Sequence, residues 1–192
     1  AFALWDRNKQ LMFMARDHVG VKPMFYSLLP NGLFVFGSEL KSIMTFPELS
    51  RELNPRAVED YFAYGYVPEP NTIYHNAFKL SPGYCITLRI GDTTVQPRQY
   101  WDLPYKPQPQ RPQADIEHEL IERLRECVGS QMESEVPLGA FLSGGVDSSA
   151  VVAMMAQQDD KPVQTCSIGF DHPDYDESIY ANEVAARYRT NH

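Results

Sequence analysis

Four of the 15 prolines fall within PYKPQPQRP, residues 104–112. Proline has no backbone N–H and holds φ near the polyproline value, so such a stretch can enter neither a helix interior nor a central strand. It reads as a semi-rigid extended spacer. A boundary is therefore expected near residues 103–113, and the apolar rhythm differs on its two sides.

Before the spacer, short β-type runs at 2–5, 11–15, 24–28 and 33–36 are separated by DRNKQ, HVGVK and the turn signal Pro30-Asn31-Gly32. That spacing suggests an antiparallel meander. Asn54-Pro55 is a good helix start, because Asn caps the first turn and proline is tolerated at the first helical position. Val58, Tyr61, Phe62 and Gly65 would form its apolar face, with the run YFAYGY at 61–66 read as core and domain interface rather than as a base-stacking platform. A further strand is expected at 84–88, after Ser81-Pro82-Gly83.

After the spacer, Asp115 is expected to cap a helix reaching about residue 132, with Ile116, Leu120, Leu124, Cys127 and Val128 at helical spacing. Glu119 and Arg123 form an i,i+4 pair in the favourable order. A strand at 138–142, a helix at 148–157 and a strand at 163–168 make a βαβ unit, which implies a parallel sheet.

Composition excludes several functions. Lys plus Arg is 17 against 25 Asp plus Glu, a net charge of −8, which disfavours general nucleic-acid binding. No apolar run approaches the roughly 18 residues of a membrane span, and the first residues lack a signal-peptide layout. The three cysteines, Cys85, Cys127 and Cys166, are widely spaced without a CxxC, so disulfides and zinc are not expected and a reducing cytoplasm fits. All three read as core residues. His18 has no second ligand nearby and is not read as a metal site. Ala1 lies inside an apolar stretch and the chain stops at Asn191-His192, so the sequence reads as a fragment of something longer.

The chemistry concentrates in Ser143-Gly144-Gly145-Val146-Asp147-Ser148-Ser149, between the strand at 138–142 and the next helix. Unpaired N–H groups at a helix N-terminus attract anions. Glycines let the backbone approach phosphate closely, and the three serines add hydroxyl donors. A carboxylate beside phosphates would repel them, so Asp147 is assigned to holding Mg²⁺ that bridges the phosphates. The loop has no lysine, so it is not a P-loop, and it lacks the G-x-G-x-x-G dinucleotide fingerprint. Phe141 stands where a nucleophile elbow needs glycine. A glycine turn with a serine cap is the purely structural alternative.

The run SGGVDSS resembles the pyrophosphate loop of the PP-loop ATP pyrophosphatases. Arg16-Asp17-His18-Val-Gly20-Val-Lys22-Pro23, Gly37-Ser38-Glu39-Leu-Lys41, Asp60-Tyr61, Pro68, Thr72-Ile73-Tyr74, Leu80-Ser-Pro82-Gly83 and VPLGAFLSGGVDSS, in that order, resemble asparagine synthetases of the glutamine-hydrolysing type. The resemblance covers essentially the whole chain. It implies an α/β with α+β chain: a partial Ntn-hydrolase antiparallel β domain, then the start of a parallel-sheet α/β PP-loop (adenine nucleotide alpha hydrolase-like) domain. Residues 1–102 would be the back of the glutaminase, 103–113 the linker, and 114–192 the front of the synthetase.

The implied reaction adenylates the aspartate side chain with ATP and Mg²⁺ and then forms the amide with ammonia from glutamine, releasing AMP and pyrophosphate. The implied ATP-binding residues are Leu142, Ser143, Gly144, Gly145, Val146, Asp147, Ser148, Ser149 and Ile168, with Asp147 also facing the metal. Leu142 and Ile168 resemble backbone contacts to the nucleotide, the alternative for Ile168 being strand core. Asp176-Glu177 either shapes the ATP and aspartate site or caps a helix. Asn191-His192 resembles the start of a segment reading T-x-H-H-E. Arg16, Asp17 and Glu39 would form a buried ion network or a plain surface salt bridge.

The family's glutaminase nucleophile is an N-terminal cysteine. Position 1 is alanine and Cys85 sits in a strand, so that nucleophile is not in this chain, nor are the glutamine-binding segments. The fragment is expected to be inactive alone. No membrane partner is implied, and the family leaves room for a homodimer of the full-length protein. Two rivals remain: a PP-loop amidotransferase with another acceptor, such as a β-lactam synthetase or a polysaccharide-associated amidotransferase, and a non-catalytic nucleotide-binding module.

Overall fold

The computed structural model describes residues 1–106 and 109–192, without the side chain of residue 173. The chain divides into two compact units, one ending at Lys106 and the other running to His192. Residues 107 and 108 of the spacer lie outside the described residues. Leu103 and Tyr105 before them are exposed and carry no regular structure.

The first unit contains two antiparallel sheets. Strands β1 (Phe2–Asp6), β2 (Leu11–Ala15), β3 (Phe25–Leu28) and β4 (Phe34–Gly37) lie where the four runs were expected, but as two antiparallel pairs in separate sheets rather than one meander, because β2 pairs onward with a later strand and not with β3. They are followed by helices α1 (Leu40–Ile43) and α2 (Pro55–Tyr64) and by strands β5 (Phe78–Lys79), β6 (Tyr84–Arg89) and β7 (Arg98–Gln99). One sheet has the order β1-β2-β6-β7 and the other β4-β3-β5. Met14 pairs with Ile86 and Tyr26 with both Phe36 and Phe78.

Side chains alternate across a pleat, so one face of each sheet must be buried. Met14, Ile86 and Leu88 from the first sheet and Tyr26 from the second share one cluster with Met24 and Leu80. A second cluster, Leu29, Val35, Ile43, Leu49 and Ala77, lies where α1 covers the β4-β3-β5 sheet. Full burial of an aliphatic side chain such as Met14 or Ile86 contributes about 1.5–3 kcal/mol.

Asn54 caps α2 as expected, its side-chain oxygen accepting from Arg56 N–H at 3.2 Å. Gly65 closes the helix at φ 78° rather than extending its apolar face. Among the residues of α2 only Ala57 is buried, and Phe62 is 83% exposed beside exposed Tyr61, Tyr64 and Tyr66. The expected core role of this aromatic run is therefore not realised within its unit. The helix meets the rest of the unit along too narrow a line to cover those rings.

Arg16, Asp17 and Glu39 do not form one network. Arg16 is buried and donates to the carbonyls of Lys22 (3.0 Å), Leu80 (2.6 Å) and Gly20 (2.9 Å). Its ionic partner is Glu69, at 2.9 Å, which also meets Lys79 at 3.4 Å. Asp17 instead accepts from the backbone of Val21, which holds its carboxyl below the usual carboxylate range. Glu39 pairs with Lys41 at the surface. His18 stacks on Trp101 with ring centroids 4.5 Å apart.

The second unit comprises α3 (Gln113–Ser130), β8 (Gly139–Phe141), α4 (Val146–Ala156), β9 (Gln164–Cys166) and α5 (Ser178–Tyr188), with a 3-10 turn at Pro173–Tyr175. Strands β8 and β9 pair in parallel through α4. Pro112, not Asp115, occupies the cap position of α3, and Asp115 sits in its first turn. Proline has no side-chain oxygen, and Asp115 there still faces the positive end of the dipole. Glu119 bridges Arg111 at 2.5 Å and Arg123 at 2.6 Å, which lowers its pKa, the Arg111 bond being the larger cause.

The apolar stripe of α3 has the expected spacing, yet none of its residues is buried, and Cys127 is exposed rather than core. Helical periodicity fixes which side chains share a face, not what covers that face. Cys166 is likewise exposed, because it ends β9 at the rim of a pocket; only Cys85 is buried as expected.

Candidate functional site

The C-terminal ends of β8 and β9 and the N-terminus of α4 converge on one pocket of about 310 Å³. Its lining includes Leu142, Ser143, Ser148, Cys166, Ile168 and Glu177. Open parallel sheets place ligands at this end, outside the strand C-termini. Two pockets of the first unit are about 650 Å³ each; one has Lys79 as its one charged lining residue, an ammonium paired with Glu69, and the other has Arg98. Neither gathers more than one charged side chain or lies at a helix N-terminus, so the pocket at the strand C-termini is the candidate.

The loop from 143 to 145 is shaped by one close approach. Gly144 has φ +78°, and a Cβ there would lie 2.6 Å from the carbonyl carbon of Tyr180 and 2.7 Å from the backbone nitrogen of Ala181. Only glycine combines that backbone conformation with contact against the first turns of α5. Ala181 and Ala185 are buried with Leu142 and Val152, so the loop is seated on a packed base.

The serines close the turn. Ser143 and Ser148 hydroxyls are 2.9 Å apart, Ser143 N–H donates to Ser148 Oγ at 3.3 Å, and Gly145 N–H donates to Ser143 Oγ at 3.3 Å. The first N–H groups of any helix have no intrahelical acceptor, and at α4 the N-cap, Gly145, offers them no side-chain acceptor either. The Ser149 hydroxyl is buried in the first turn with no hydrogen-bond partner among the described residues. Unpaired backbone donors, a dipole end and an orphaned hydroxyl together fit a phosphate-bearing ligand.

Val146 and Asp147 point outward; Val146 is 87% exposed. Among the described residues no group of three His, Cys, Asp or Glu side chains could enclose a metal ion by itself. The lone exposed carboxylate of Asp147 suits Mg²⁺, which takes one or two protein carboxylates and completes its shell with phosphate oxygens and water.

Leu142 is buried, and its N–H donates to Cys166 O at 2.9 Å. Ile168 lies beyond the end of β9 and is 68% exposed on the pocket rim, which removes the strand-core alternative. The structure thus brings Leu142, Ser143, Ser148 and Ile168 to one cavity, with Gly144, Gly145 and Ser149 shaping the turn behind it.

Asp176 accepts from Ser178 Oγ at 2.9 Å and from Ser178 N–H at 3.2 Å. The Ser178 side chain, followed by its backbone N–H, holds the Asp176 carboxyl below its ordinary value. Asp176 therefore restrains the start of α5, while Glu177 reaches the pocket lining. Sequence reasoning passed over Tyr175 and Ser167, also on that lining. The position of Ser167 next to Ile168 was the only available signal.

A glutamine amidotransferase domain model matches residues 1–101, and an asparagine synthase model matches residues 119–192. A Methanocaldococcus jannaschii protein provisionally named an asparagine synthetase (glutamine-hydrolyzing) is 40% identical over 100% of this chain and 37% of its own length. Asparagine synthetase (glutamine-hydrolyzing) 1 of Bacillus subtilis is 34% identical over 97% of this chain and 29% of its own. A Penicillium rubens protein named amidase chyE is 34% identical over 81% and 23% respectively. The chain spans about a third of the length of the first two relatives. With an antiparallel β unit under the first family match and a parallel βαβ unit under the second, the chain belongs to the glutamine-hydrolysing asparagine synthetase family.

Proposed function

We propose that this chain carries parts of an enzyme for glutamine-dependent asparagine synthesis. In that reaction the aspartate side-chain carboxylate displaces pyrophosphate from ATP, and ammonia then displaces AMP from the acyl group. Residues 1–102 belong to the glutaminase, 103–113 to the linker and 114–192 to the synthetase; the 192 residues alone are inactive on this reading.

The supporting observation is the loop that opens α4: glycine pressed against α5, paired serine hydroxyls and an uncapped helix N-terminus beside a pocket. Ser143, Gly144, Gly145, Ser148 and Ser149 would hold the phosphates, and Leu142, Val146 and Ile168 would flank the nucleotide. Asp147 would hold Mg²⁺, which when bound neutralises charge on the phosphates. The chain's own task is to position the groups and supply fixed dipoles, the usual source of acceleration where phosphate charge develops.

The same reading sets the enzyme in the cytoplasm, where the exposed thiols of Cys127 and Cys166 stay reduced. It allows a homodimer of the full-length protein and assigns no nucleic-acid or membrane partner. No helix among the described residues is long and apolar enough to cross a membrane.

A second reading keeps the adenylating chemistry with a different acceptor. The observation that keeps it open is that not every similar protein is named an asparagine synthetase, one being named an amidase. Purified full-length protein, given ATP with aspartate and either glutamine or ammonia, should release AMP and pyrophosphate only when aspartate is present. ADP release, or indifference to aspartate, overturns the proposal. AMP release dependent on another carboxylate selects the second reading.

A further inference from the structure

Beside the pocket, four side chains and one carbonyl form an uninterrupted hydrogen-bond series. The Thr190 and Thr165 hydroxyls are 2.8 Å apart, and Thr165 Oγ1 is 2.9 Å from His192 Nδ1. His192 Nε2 is 3.3 Å from Ser167 Oγ, and Ser167 donates to Leu142 O at 2.5 Å. The backbone fixes this arrangement. Asn191 N–H donates to Val163 O at 2.9 Å and Thr165 N–H to Asn191 O at 3.0 Å, which seats the segment along β9 as a parallel bridge.

Proton counting determines the direction of the series. A serine hydroxyl has one hydrogen, and that of Ser167 is spent on Leu142. Ser167 Oγ must therefore accept, so His192 Nε2 carries a proton. In the neutral ring Nδ1 is then the acceptor and takes the Thr165 hydrogen, while Thr165 accepts from Thr190. Every hydroxyl donates once toward the pocket.

The effect reaches the loop through one rigid unit. The carbonyl of Leu142 and the N–H of Ser143 belong to the same planar peptide group. Holding the carbonyl toward Ser167 aims that N–H at Ser148 Oγ, 3.3 Å away. The Leu142 N–H is held by Cys166 O, so the residue is clamped from both sides.

We propose that His192 is a positioning residue for the nucleotide site. As the Nε2–H tautomer it holds the Ser167 hydroxyl on Leu142 O and so sets the peptide plane that opens the serine-glycine loop. The inference rests on the reading of this pocket as the ATP site.

The test uses the full-length protein. Nitrogen-15 NMR of the neutral His192 ring should show a protonated Nε2 and an unprotonated Nδ1. His192→Ala should raise the KM for ATP about fivefold, the factor that one lost hydrogen bond carries, with kcat changed less than about twofold. His192→Gln, whose amide nitrogen reaches the Nε2 position, should restore the KM. His192→Asn, which reaches only the Nδ1 position, should not.

A ring protonated at Nδ1, equal KM values for the Gln, Asn and Ala variants, or a fall in kcat at unchanged KM overturns the proposal. Those results would leave ATP use by the wild-type protein intact. A wild-type protein that neither binds nor consumes ATP overturns the underlying reading instead, and with it the role of His192, whatever the tautomer.

Discussion

Gly144→Ala separates the two reasons for a glycine at that position. Its φ of +78° costs an L side chain roughly 1–2 kcal/mol. The added Cβ would also meet Tyr180 and Ala181 backbone atoms at 2.6 and 2.7 Å, closer than real contacts allow. Backbone cannot turn aside as a side-chain tip can, so overpacking adds about 1–3 kcal/mol. The expected loss is roughly 2–5 kcal/mol, expressed as displacement of the loop from α5 and loss of ATP binding. Two other glycines isolate the contributions. Gly32 has φ +83° with nothing within 4 Å of the added carbon, so Gly32→Ala should cost only the conformational part. Gly145 has φ −69°, and its Cβ would meet only the Ser143 hydroxyl at 3.3 Å. Gly145→Ala should cost under about 1 kcal/mol, the difference between Gly and Ala at an N-cap. Thermal or denaturant unfolding of the three variants of the full-length protein, each followed by ATP titration, reads the order. If Gly144→Ala is no more damaging than Gly32→Ala, α5 yields freely and the close-packed loop reasoning is wrong.

Four further outcomes are expected. Arg16→Met should destabilise the first unit by about 3 kcal/mol or more, because it leaves three carbonyls without the donor that satisfies them and Glu69 with Lys79 as its remaining cation; a loss below 1 kcal/mol by denaturant unfolding refutes this. Asn54→Ala should cost about 1 kcal/mol through the lost cap of α2, and unchanged exchange rates for the first amides of that helix would count against it. Ser178→Ala should raise the Asp176 pKa toward its ordinary value of 3.8, measurable by NMR titration. The sign follows from the depressed folded value: the carboxylate stabilises the fold above the unfolded pKa, and that contribution fades as pH falls through the lowered one. Asp147→Asn in the full-length protein should abolish AMP formation while glutamine hydrolysis persists; surviving AMP formation would remove the metal role of Asp147.

Local chemistry made much of the architecture legible. The β2 strand came through at its expected limits, Leu11–Ala15, because alternation and turn residues are short-range signals. The cap at Asn54 and the parallel pairing across α4 were equally readable. The two-residue strands β5 and β7 and the four-residue α1 were not, since elements that short have no periodicity and depend on partners already in place.

The sequence by itself determined the family, the two kinds of unit and the loop to which the proposed function assigns the phosphates, because SGGVDSS between an apolar strand and a helix is complete within a few residues. Tertiary structure alone decided which partners meet across many residues. Arg16 selects Glu69, Gly144 abuts Tyr180, and His192 reaches Ser167 and through it Leu142. It also decided exposure: the apolar stripe of α3 and the thiols of Cys127 and Cys166 look alike in sequence whether covered or open. Side-chain spacing is set by the local backbone, whereas burial and partner choice depend on which distant surface arrives, and no local pattern encodes that arrival.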